Sequence, residues 1–239
     1  MIALSQEQID TFRQQGFLVW ENFLSAEEHQ MLLSVCDHLL NEPVDDDLGG
    51  KAHNIGRGKD RRFLRHRHGD FADLSAFLLG PRMAKSIGPL VDNEPFLFNE
   101  QFVVKGPKTG ASFAWHQDSG YVGFEHRPYL SLWLALDDTT ISNGALSVLP
   151  RDLETQNFIE DHVWDEAGKE YVGYRGDEEG VLVECPAGTA VLFSSLTLHR
   201  SGQNITDRNR RAFLAQFSAG PIFKPGTTEP KTFAKPLAA

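Results

Sequence analysis

Hydrophobic residues recur at helical spacing in two segments near the amino terminus. The segment "SQEQIDTFRQQG" begins with a Ser-x-x-Gln capping box and ends at Gly16, the pattern of a short amphipathic helix. A second capping box starts at Ser25 and precedes apolar positions from Met31 to Leu40. We predict two helices, separated by a strand over "FLVWENFL", with the second helix packed on the outside of a sheet.

Short strands dominate the pattern from residue 95 onward. Runs rich in Val, Leu and Phe are punctuated by Gly, Pro and Asn, and no helical period separates them. The runs are "PFLFNEQFVVKG", "SFAWHQDSG", "YLSLWLALDD", "GALSVLP", "GVLVECPAG", "TAVLFSSLTLHRSG" and "RRAFLAQFSAG". This pattern is typical of a sandwich, jelly roll or barrel. We predict a mainly β fold with flanking helices, in which residues 1–42 form a helical N-terminal support and residues 95–220 form the core.

Two long polar segments and the tail show no regular period. Residues 43–70 are interpreted as a loop, which is either a solvated surface or an anion contact for the substrate. Its basic residues are Lys51, Arg57, Lys59, Arg61, Arg62, Arg65 and Arg67. Residues 151–179 are acidic, and a connection of this length is more often a lid than an idle link. The two stretches can pair as lips of one lid, or one of them can face a charged substrate; the chain after Pro221 is expected to be irregular and partly disordered.

Composition and charge exclude several classes of protein. With 239 residues, 41% of them hydrophobic and 23% charged, the chain suffices for one large core, and we expect a single domain over residues 1–239. A net charge of -10 disfavours nucleic acid and anionic membranes as partners, because both require a basic surface.

The cellular compartment is predicted from what precedes the first helix and from the cysteines. Met1 leads into "IALSQEQID" without the basic and apolar regions of a secretory leader, and no apolar stretch has the length of a membrane helix. Cys36 and Cys185 are too few and too far apart for a disulfide framework, and their apolar surroundings favour buried structural roles. We expect a cytoplasmic protein.

Two histidines and an aspartate at predicted strand ends are candidate metal ligands. Residues i and i+2 of a strand share a face, so His116 and Asp118 of "FAWHQDSGYV" can present a nitrogen and an oxygen side by side. His199, at the end of "AVLFSSLTLHRSG", is the best third ligand. Two histidines and one carboxylate on one face of an octahedron leave three open positions, as in non-heme Fe(II) oxygenases. His66 and His68 form a weaker candidate pair, because the basic residues around them repel a cation.

A 2-oxo acid that fills two of those positions has a far carboxylate, which an arginine can bind through two charge-assisted hydrogen bonds. Arg210 follows His199 on the next predicted strand, and Arg208 and Arg211 compete with it. Strand alternation sends Arg210 and Arg211 to opposite faces, so only one of them points inward. Ser201 can donate its hydroxyl to the same carboxylate.

Four segments in this order span most of the chain: "LSQEQIDTFRQQGFLVWENFLS", "WHQD", "LSLWLALDDTTISNGALSVLP" and "HRSGQNITDRNRRAF". Together they resemble the phytanoyl-CoA dioxygenase family of Fe(II)/2-oxoglutarate-dependent oxygenases. The resemblance implies a double-stranded β-helix core, that is, a jelly-roll, cupin-like fold. It also implies that His116, Asp118 and His199 bind Fe(II), and that Arg210 and Ser201 hold 2-oxoglutarate.

The resemblance extends to weaker positions. Trp133 stands where the family has an aromatic residue near the cosubstrate, and Lys105 stands where a lysine often precedes the first motif. A surface position for Lys105 and a core position for Trp133 are the structural alternatives. The residues predicted to contact the substrate, just past the iron motif or in the basic loop, are Tyr121, Val122, Phe124 and Arg65.

The expected reaction is an oxidation of a small organic metabolite that consumes O2 and releases succinate and CO2. Asp118 is present where halogenating relatives carry a small residue, which favours hydroxylation or a related oxidation. The segment "LPRDLE" departs from the family's usual Pro-Gly-Ser-His run, so the substrates of relatives do not carry over. Two alternatives stay open: a Zn²⁺- or Mn²⁺-dependent cupin-like hydrolase or isomerase, which needs no arginine anchor, and a non-catalytic metal-binding relative.

Overall fold

Four α-helices precede or flank the first long strand. The computed structural model describes residues 3–43, 52–55, 61–92 and 94–238. The two predicted helices are confirmed as α1 (Gln6–Gln15) and α2 (Ala26–Leu40), each with a complete capping box. Helix α1 ends at Gly16, whose φ of 75° is left-handed and favours glycine. Helices α3 (Ala72–Leu79) and α4 (Pro81–Ile87) were not anticipated.

Fourteen strands in the described residues form two larger sheets and a hairpin. They are β1 (Phe17–Trp20), β2 (Ala52–Ile55), β3 (Arg61–Arg65), β4 (Phe96–Lys105), β5 (Phe113–His116), β6 (Leu130–Ala135), β7 (Leu146–Val148), β8 (Val163–Asp165), β9 (Glu170–Val172), β10 (Val181–Val183), β11 (Ala190–Ser194), β12 (His199–Ser201), β13 (Arg210–Ser218) and β14 (Lys235–Pro236). The large sheet has the order β1-β11-β6-β13-β4-β3-β2, with β14 also on β4. The small sheet has the order β10-β7-β12-β5, and β8 pairs with β9.

Both faces of the large sheet are covered. On β6, Leu132 and Leu134 pack in the cluster that contains the apolar face of α2. Trp133 and Ala135 alternate with them and pack against β7 and β10 of the small sheet. This burial on both sides accounts for the nearly continuous apolar run of "LSLWLAL". The prediction of a mainly β fold with the helices outside is confirmed.

The interpretation of residues 43–70 as a loop was wrong for two stretches. Ala52–Ile55 and Arg61–Arg65 are strands that extend the large sheet beyond β4. The charge was misleading because the arginines are not solvated: Arg61 is 1% exposed, and Arg62 donates to backbone carbonyls at the end of α2. Lys51, Arg57 and Lys59 of the predicted basic cluster lie outside the described residues.

The carboxyl-terminal segment is also more regular than its sequence suggested. Strand β14 pairs with the start of β4, and Phe233 packs against His66 and His68. The expectation of partial disorder was therefore wrong, because pairing with β4 supplies contacts that no local pattern announces. These contacts bring the segment beside the cavity described below.

The cysteines have the structural roles that their surroundings predicted. Cys36 and Cys185 are both buried and unpaired, and burial raises the pKa of the Cys36 thiol to about 12. Within the described ranges, we find no helix that combines the length and the apolar character needed to cross a membrane.

Candidate active site

The three predicted metal ligands lie together between the sheets. His116 and His199 are directly opposite each other on β5 and β12. Asp118 lies two residues beyond the end of β5, in a 3-10 turn over Asp118–Tyr121, and its Oδ1 is 3.9 Å from His116 Nε2 and 3.8 Å from His199 Nε2. The ligand atoms all lie within 4.8 Å of one another, and no other such group of histidine, cysteine or acidic residues occurs in the described part of the chain.

Neighbouring groups hold the ligands in a metal-binding state. The Nδ1 atoms of His116 and His199 lie 2.8 and 3.0 Å from the carbonyls of Ala114 and Thr197, so each ring donates from Nδ1 and turns the lone pair of Nε2 toward the centre. Burial, followed by the proximity of His199, lowers the pKa of His116 to about 3 and keeps that ring neutral. The residues thus present two imidazole nitrogens and a carboxylate oxygen, a donor set that suits Fe(II).

Asp118 is fixed through its second oxygen. Its Oδ2 accepts hydrogen bonds from Ser131 Oγ and from Gln216 Nε2, the latter at 2.9 Å. Asn99 Nδ2 in turn donates to Gln216 Oε1 at 2.8 Å, and His66 Nε2 lies 2.8 Å from Asn99 Oδ1. A chain of amides therefore runs from the metal-binding carboxylate to the cavity wall.

A row of cations crosses the large sheet near the centre. Arg210 on β13 pairs in register with Lys105 on β4, and Lys105 pairs in register with Arg61 on β3. Arg210 is 2% exposed, and burial lowers its pKa to about 10. Its Nη2 donates to the carbonyl of Gly144 at 3.2 Å, but its buried Nε has no partner. A buried guanidinium nitrogen without an acceptor is suited to binding the carboxylate of a ligand.

Lys105 is a buried residue behind this arginine, not a surface lysine. Its Nζ donates to Ser201 Oγ at 2.7 Å and to the carbonyl of Gly202. Ser201 therefore accepts from Lys105 and keeps its own hydrogen for a carboxylate. Burial, followed by the charges of Arg210 and Arg61, holds the pKa of Lys105 well below its ordinary range. Trp133 lies below Arg210, with its ring centroid 5.7 Å from the guanidinium carbon.

The three metal ligands, Arg210 and Ser201 all line one cavity of about 360 Å³. Trp133 and the predicted substrate residues Arg65, Tyr121 and Val122 line it. Phe124 is not among the described lining residues; it packs beside the apolar cluster formed by Phe98, Val122, Tyr129 and Ile222. We call the part of the cavity at the metal ligands and Arg210 its inner half, and the part at Arg65 and the turn after Asp118 its outer half.

Several cavity residues were not anticipated. Asn99, Gln101 and Gln216 line it from β4 and β13. Polar amides that interrupt the apolar runs "FLFNEQF" and "AFLAQF" are a signal that can find such positions. Lys231 and Thr232 also line the cavity, and nothing in the local pattern of the tail points to them.

The basic and acidic stretches meet at the cavity edge. Arg61 donates to Glu170 Oε2 at 2.8 Å and to the carbonyl of Gly168 at 2.6 Å, which joins β3 to the β8–β9 hairpin. Arg151, from the segment that departs from the family pattern, is buried and donates to Glu160 at 2.6 Å. The first ion pair joins the predicted lid to β3, and the second joins two residues within it; its role as a lid stays a prediction.

A glycine lets the acidic stretch approach the metal-binding turn. A Cβ on Gly120 would lie 2.5 Å from the ring of His162. His162 in turn accepts from the backbone N–H of Gln117, the residue between the two ligands of the motif. The turn that carries Asp118 is therefore packed directly against residues 151–179.

Fold and site define a class of protein, a jelly-roll metal enzyme with a two-histidine, one-carboxylate centre beside a buried arginine. Residues 12–212 match the family described as phytanoyl-CoA dioxygenase (PhyH), and the chain belongs to this family. Family membership confirms the resemblance seen in the sequence. The protein is accordingly an oxygenase that depends on Fe(II) and uses 2-oxoglutarate and O2 as cosubstrates.

Individual relatives agree with this assignment. A probable alpha-ketoglutarate-dependent hypophosphite dioxygenase of Stutzerimonas stutzeri is 26% identical over 231 residues, covering 89% of this chain and 78% of that protein. The structure of EvdO2 from Micromonospora carbonacea var. aurantiaca, complexed with 2-oxoglutarate, has a TM-score of 0.72 at 24% identity and covers 96% of each chain. The carbocyclase SnoK from nogalamycin biosynthesis has a TM-score of 0.76 at 19% identity, covering 98% of this chain and 97% of its own. The jelly-roll fold is confirmed by these likenesses.

Proposed function

We propose that this protein hydroxylates a small organic metabolite. The observation that carries the proposal is the meeting, in one cavity, of the His116, Asp118 and His199 ligands with Arg210, whose buried Nε has no partner. A hydrolase or isomerase on the same triad has no need of this buried cation. The intact Asp118 carboxylate favours hydroxylation over halogenation.

The residues fit the cofactor and cosubstrate in distinct roles. His116, Asp118 and His199 would hold Fe(II), while Arg210, with Ser201 and Lys105, would hold the far carboxylate of 2-oxoglutarate. When bound, these groups supply an oxidation in which R–H, O2 and 2-oxoglutarate become R–OH, succinate and CO2. Ser131 and Gln216 bind Oδ2 of Asp118 and so keep its Oδ1 turned toward the two histidines, where it would bind the ion.

The outer half of the cavity supports a small substrate. A volume of about 360 Å³ lies at the low end of the range for small-molecule pockets. Phe63, Phe98 and Tyr129 supply apolar walls that exclude water from the reacting carbon. The relative named for hypophosphite is consistent with a substrate of this size.

An anaerobic titration of the metal-free protein with Fe(II) and then 2-oxoglutarate tests the proposal. We expect the weak visible charge-transfer band of the chelate in the wild type, and no band in His116→Ala. In Arg210→Ala, we expect Fe(II) to bind while 2-oxoglutarate binds much more weakly.

The opposite result would favour the hydrolase. If Zn²⁺ or Mn²⁺ binds the triad but no band forms with Fe(II) and 2-oxoglutarate, the oxygenase proposal is wrong. A band without succinate formation under O2, with or without candidate substrates, would favour the non-catalytic relative. Hydroxylation itself is checked by the incorporation of one atom of labelled O2 into the product.

A further inference from the structure

The cavity is lined by positive charge that the proposed chemistry does not use. Of the acidic residues that line the cavity in the described ranges, Asp118 faces the metal site and Glu170 pairs with Arg61. Among the basic ones, Lys169 pairs with Glu166 at 3.1 Å, and Arg210 faces the cosubstrate. The other arginine and lysine side chains that line the cavity are Arg200, Arg65 and Lys231.

Arg200 is directed away from the outer half. Its guanidinium carbon lies 4.7 Å from the centroid of the Trp115 ring, and its Nη2 donates to the carbonyl of Glu179. Arg65 and Lys231 are left, and in the described part of the chain neither forms an ion pair with a carboxylate.

Arg65 has the geometry of an anion receptor. It is half-buried at the end of β3, where its register with Gln101 places it on the inner face of the sheet. Its Nε donates to Gln101 Oε1 at 3.0 Å, and its guanidinium carbon lies 5.6 Å from the centroid of the Phe63 ring. Among the described residues its two terminal nitrogens have no hydrogen-bond partner, so the guanidinium fork is held at its base and open toward the cavity. Burial alone, with no neighbouring acid, lowers the pKa of Arg65.

Lys231 approaches from the carboxyl-terminal segment. Its Nζ donates to the carbonyls of Tyr121 and Val122 at 2.9 and 2.8 Å, which fastens this segment to the turn that carries Asp118. Two of its three N–H groups are used in this way, and the third is available. Burial lowers the pKa of Lys231 as well. Lys231 is thus a second cation that lines the same cavity as Arg65, held at the turn after Asp118.

The position of Arg65 separates it from the cosubstrate site. Lys105 and Gln101 mark the registers of Arg210 and Arg65 on β4. Four residues along a strand correspond to about 13 Å, and Arg65 lies one strand further from β13. Arg65 is therefore separated from Arg210 across the sheet as well, because β4 lies between β3 and β13 and the two outer strands are about 10 Å apart.

We propose that the substrate carries an anionic group, a carboxylate or another oxyanion, which the Arg65 fork binds with support from Lys231. This inference rests on the proposed function, because it assigns Arg210 to 2-oxoglutarate and the outer half to the substrate. The anion would neutralise two half-buried charges that have no carboxylate partner among the described residues, and it would set the distance between the charged end of the substrate and the oxidised carbon. Neutral compounds of the same shape would leave both charges without a counter-ion.

The test uses the wild-type protein loaded anaerobically with Fe(II) and saturating 2-oxoglutarate, so that the Arg210 site is filled. Calorimetric titration then compares methylphosphonate with its neutral dimethyl ester, and propanoate with propanamide. We expect the anions to bind and their neutral partners not to bind. In Arg65→Gln, we expect the affinity for the anions to fall roughly tenfold or more, the size of a lost charge-assisted pair.

Three further variants make the result specific. Arg65→Lys keeps the charge without the fork and should lie between wild type and Arg65→Gln. Lys231→Gln should show a smaller loss. Arg127→Gln, an exposed arginine paired with Asp92 outside the cavity, should bind the anions as the wild type does.

The outcomes separate this inference from the proposed function. Two results would overturn the inference while the chelate band still forms and the proposed function stands. In the first, neutral and anionic probes bind the loaded wild type equally. In the second, Arg65→Gln binds the anions as tightly as the wild type does. Absence of anion binding to the loaded wild type would also overturn the inference. Failure of the chelate band in the wild type itself would instead contradict the proposed function.

Discussion

The inner and outer halves of the cavity are built in different ways. The inner half combines two short motifs and one arginine, and its side chains are held by hydrogen bonds to their neighbours. The outer half combines β3, β4 and the carboxyl-terminal segment, and among the described residues it leaves the two terminal nitrogens of Arg65 and one N–H of Lys231 available. The inner half is organised for one reaction, whereas the outer half is organised to recognise a particular molecule.

This difference separates the residues that bind the metal and cosubstrate from those that select the substrate. A metal centre works only if its ligands keep their orientation, so a lost partner in the inner half should impair every substrate. Changes in the outer half should alter which substrate is accepted while cofactor binding is retained. The predictions below test this separation, beginning with the largest expected effect.

Removal of a metal ligand should abolish the function of the inner half. We expect His199→Ala to form no Fe(II)/2-oxoglutarate band and no succinate, because two remaining ligands hold the ion too weakly. His38→Ala, an exposed histidine on α2, is the control. Retention of the band in His199→Ala would show that another residue completes the site.

Loss of the buried arginine should affect the cosubstrate but not the metal. In Arg210→Gln, we expect the Kd for 2-oxoglutarate to rise roughly ten- to a hundredfold, from the loss of charge-assisted hydrogen bonds. Arg211→Gln changes the neighbouring residue, which points to the other face and pairs with Asp137. Equal effects of the two changes on 2-oxoglutarate binding would contradict the assignment of Arg210.

The partner of Asp118 should have a measurable effect on metal binding. Gln216→Ala removes the N–H group that donates to Oδ2 of Asp118, and we expect Fe(II) affinity to fall roughly tenfold, in line with other residues that orient ligands. Competition with a coloured chelator measures this affinity. The control is Gln156→Ala, which changes an exposed glutamine that does not line the cavity and should leave Fe(II) affinity unchanged.

The smallest effect is expected in the pH dependence of cosubstrate binding. Because the pKa of Lys105 is lowered, a rise in pH removes its proton earlier than from an ordinary lysine. The protonated form attracts the carboxylate of 2-oxoglutarate, so affinity should weaken by a few-fold as pH rises, and Lys105→Met should flatten this dependence. An identical pH profile in the two proteins would show that Lys105 does not contribute charge to the site.

Several local features, in the helices and in the inner half of the cavity, were determined by the sequence alone. The capping boxes of α1 and α2 predicted those helices, because such caps satisfy the backbone locally. Alternation along the core strands predicted that only one of Arg210 and Arg211 points inward, because side chains on a strand alternate between faces, and the family resemblance selected Arg210. The motif around His116 and Asp118 indicated metal ligands because both residues come from one short segment.

The sequence suggested Arg65 and the turn after Asp118 as substrate contacts, but only the tertiary structure decided how the outer half is assembled. Arg65 faces the cavity only because β3 pairs with β4, and a charged sequence such as "RRFLR" does not announce a buried strand. Lys231 reaches the site because its segment folds back to the turn after Asp118, more than a hundred residues away along the chain. Pairing between such distant segments depends on register, burial and the supply of hydrogen-bond partners, none of which is encoded in a local period. The class of enzyme was therefore readable from short motifs, whereas the proposed anion site depends on separate parts of the chain that only the fold brings together.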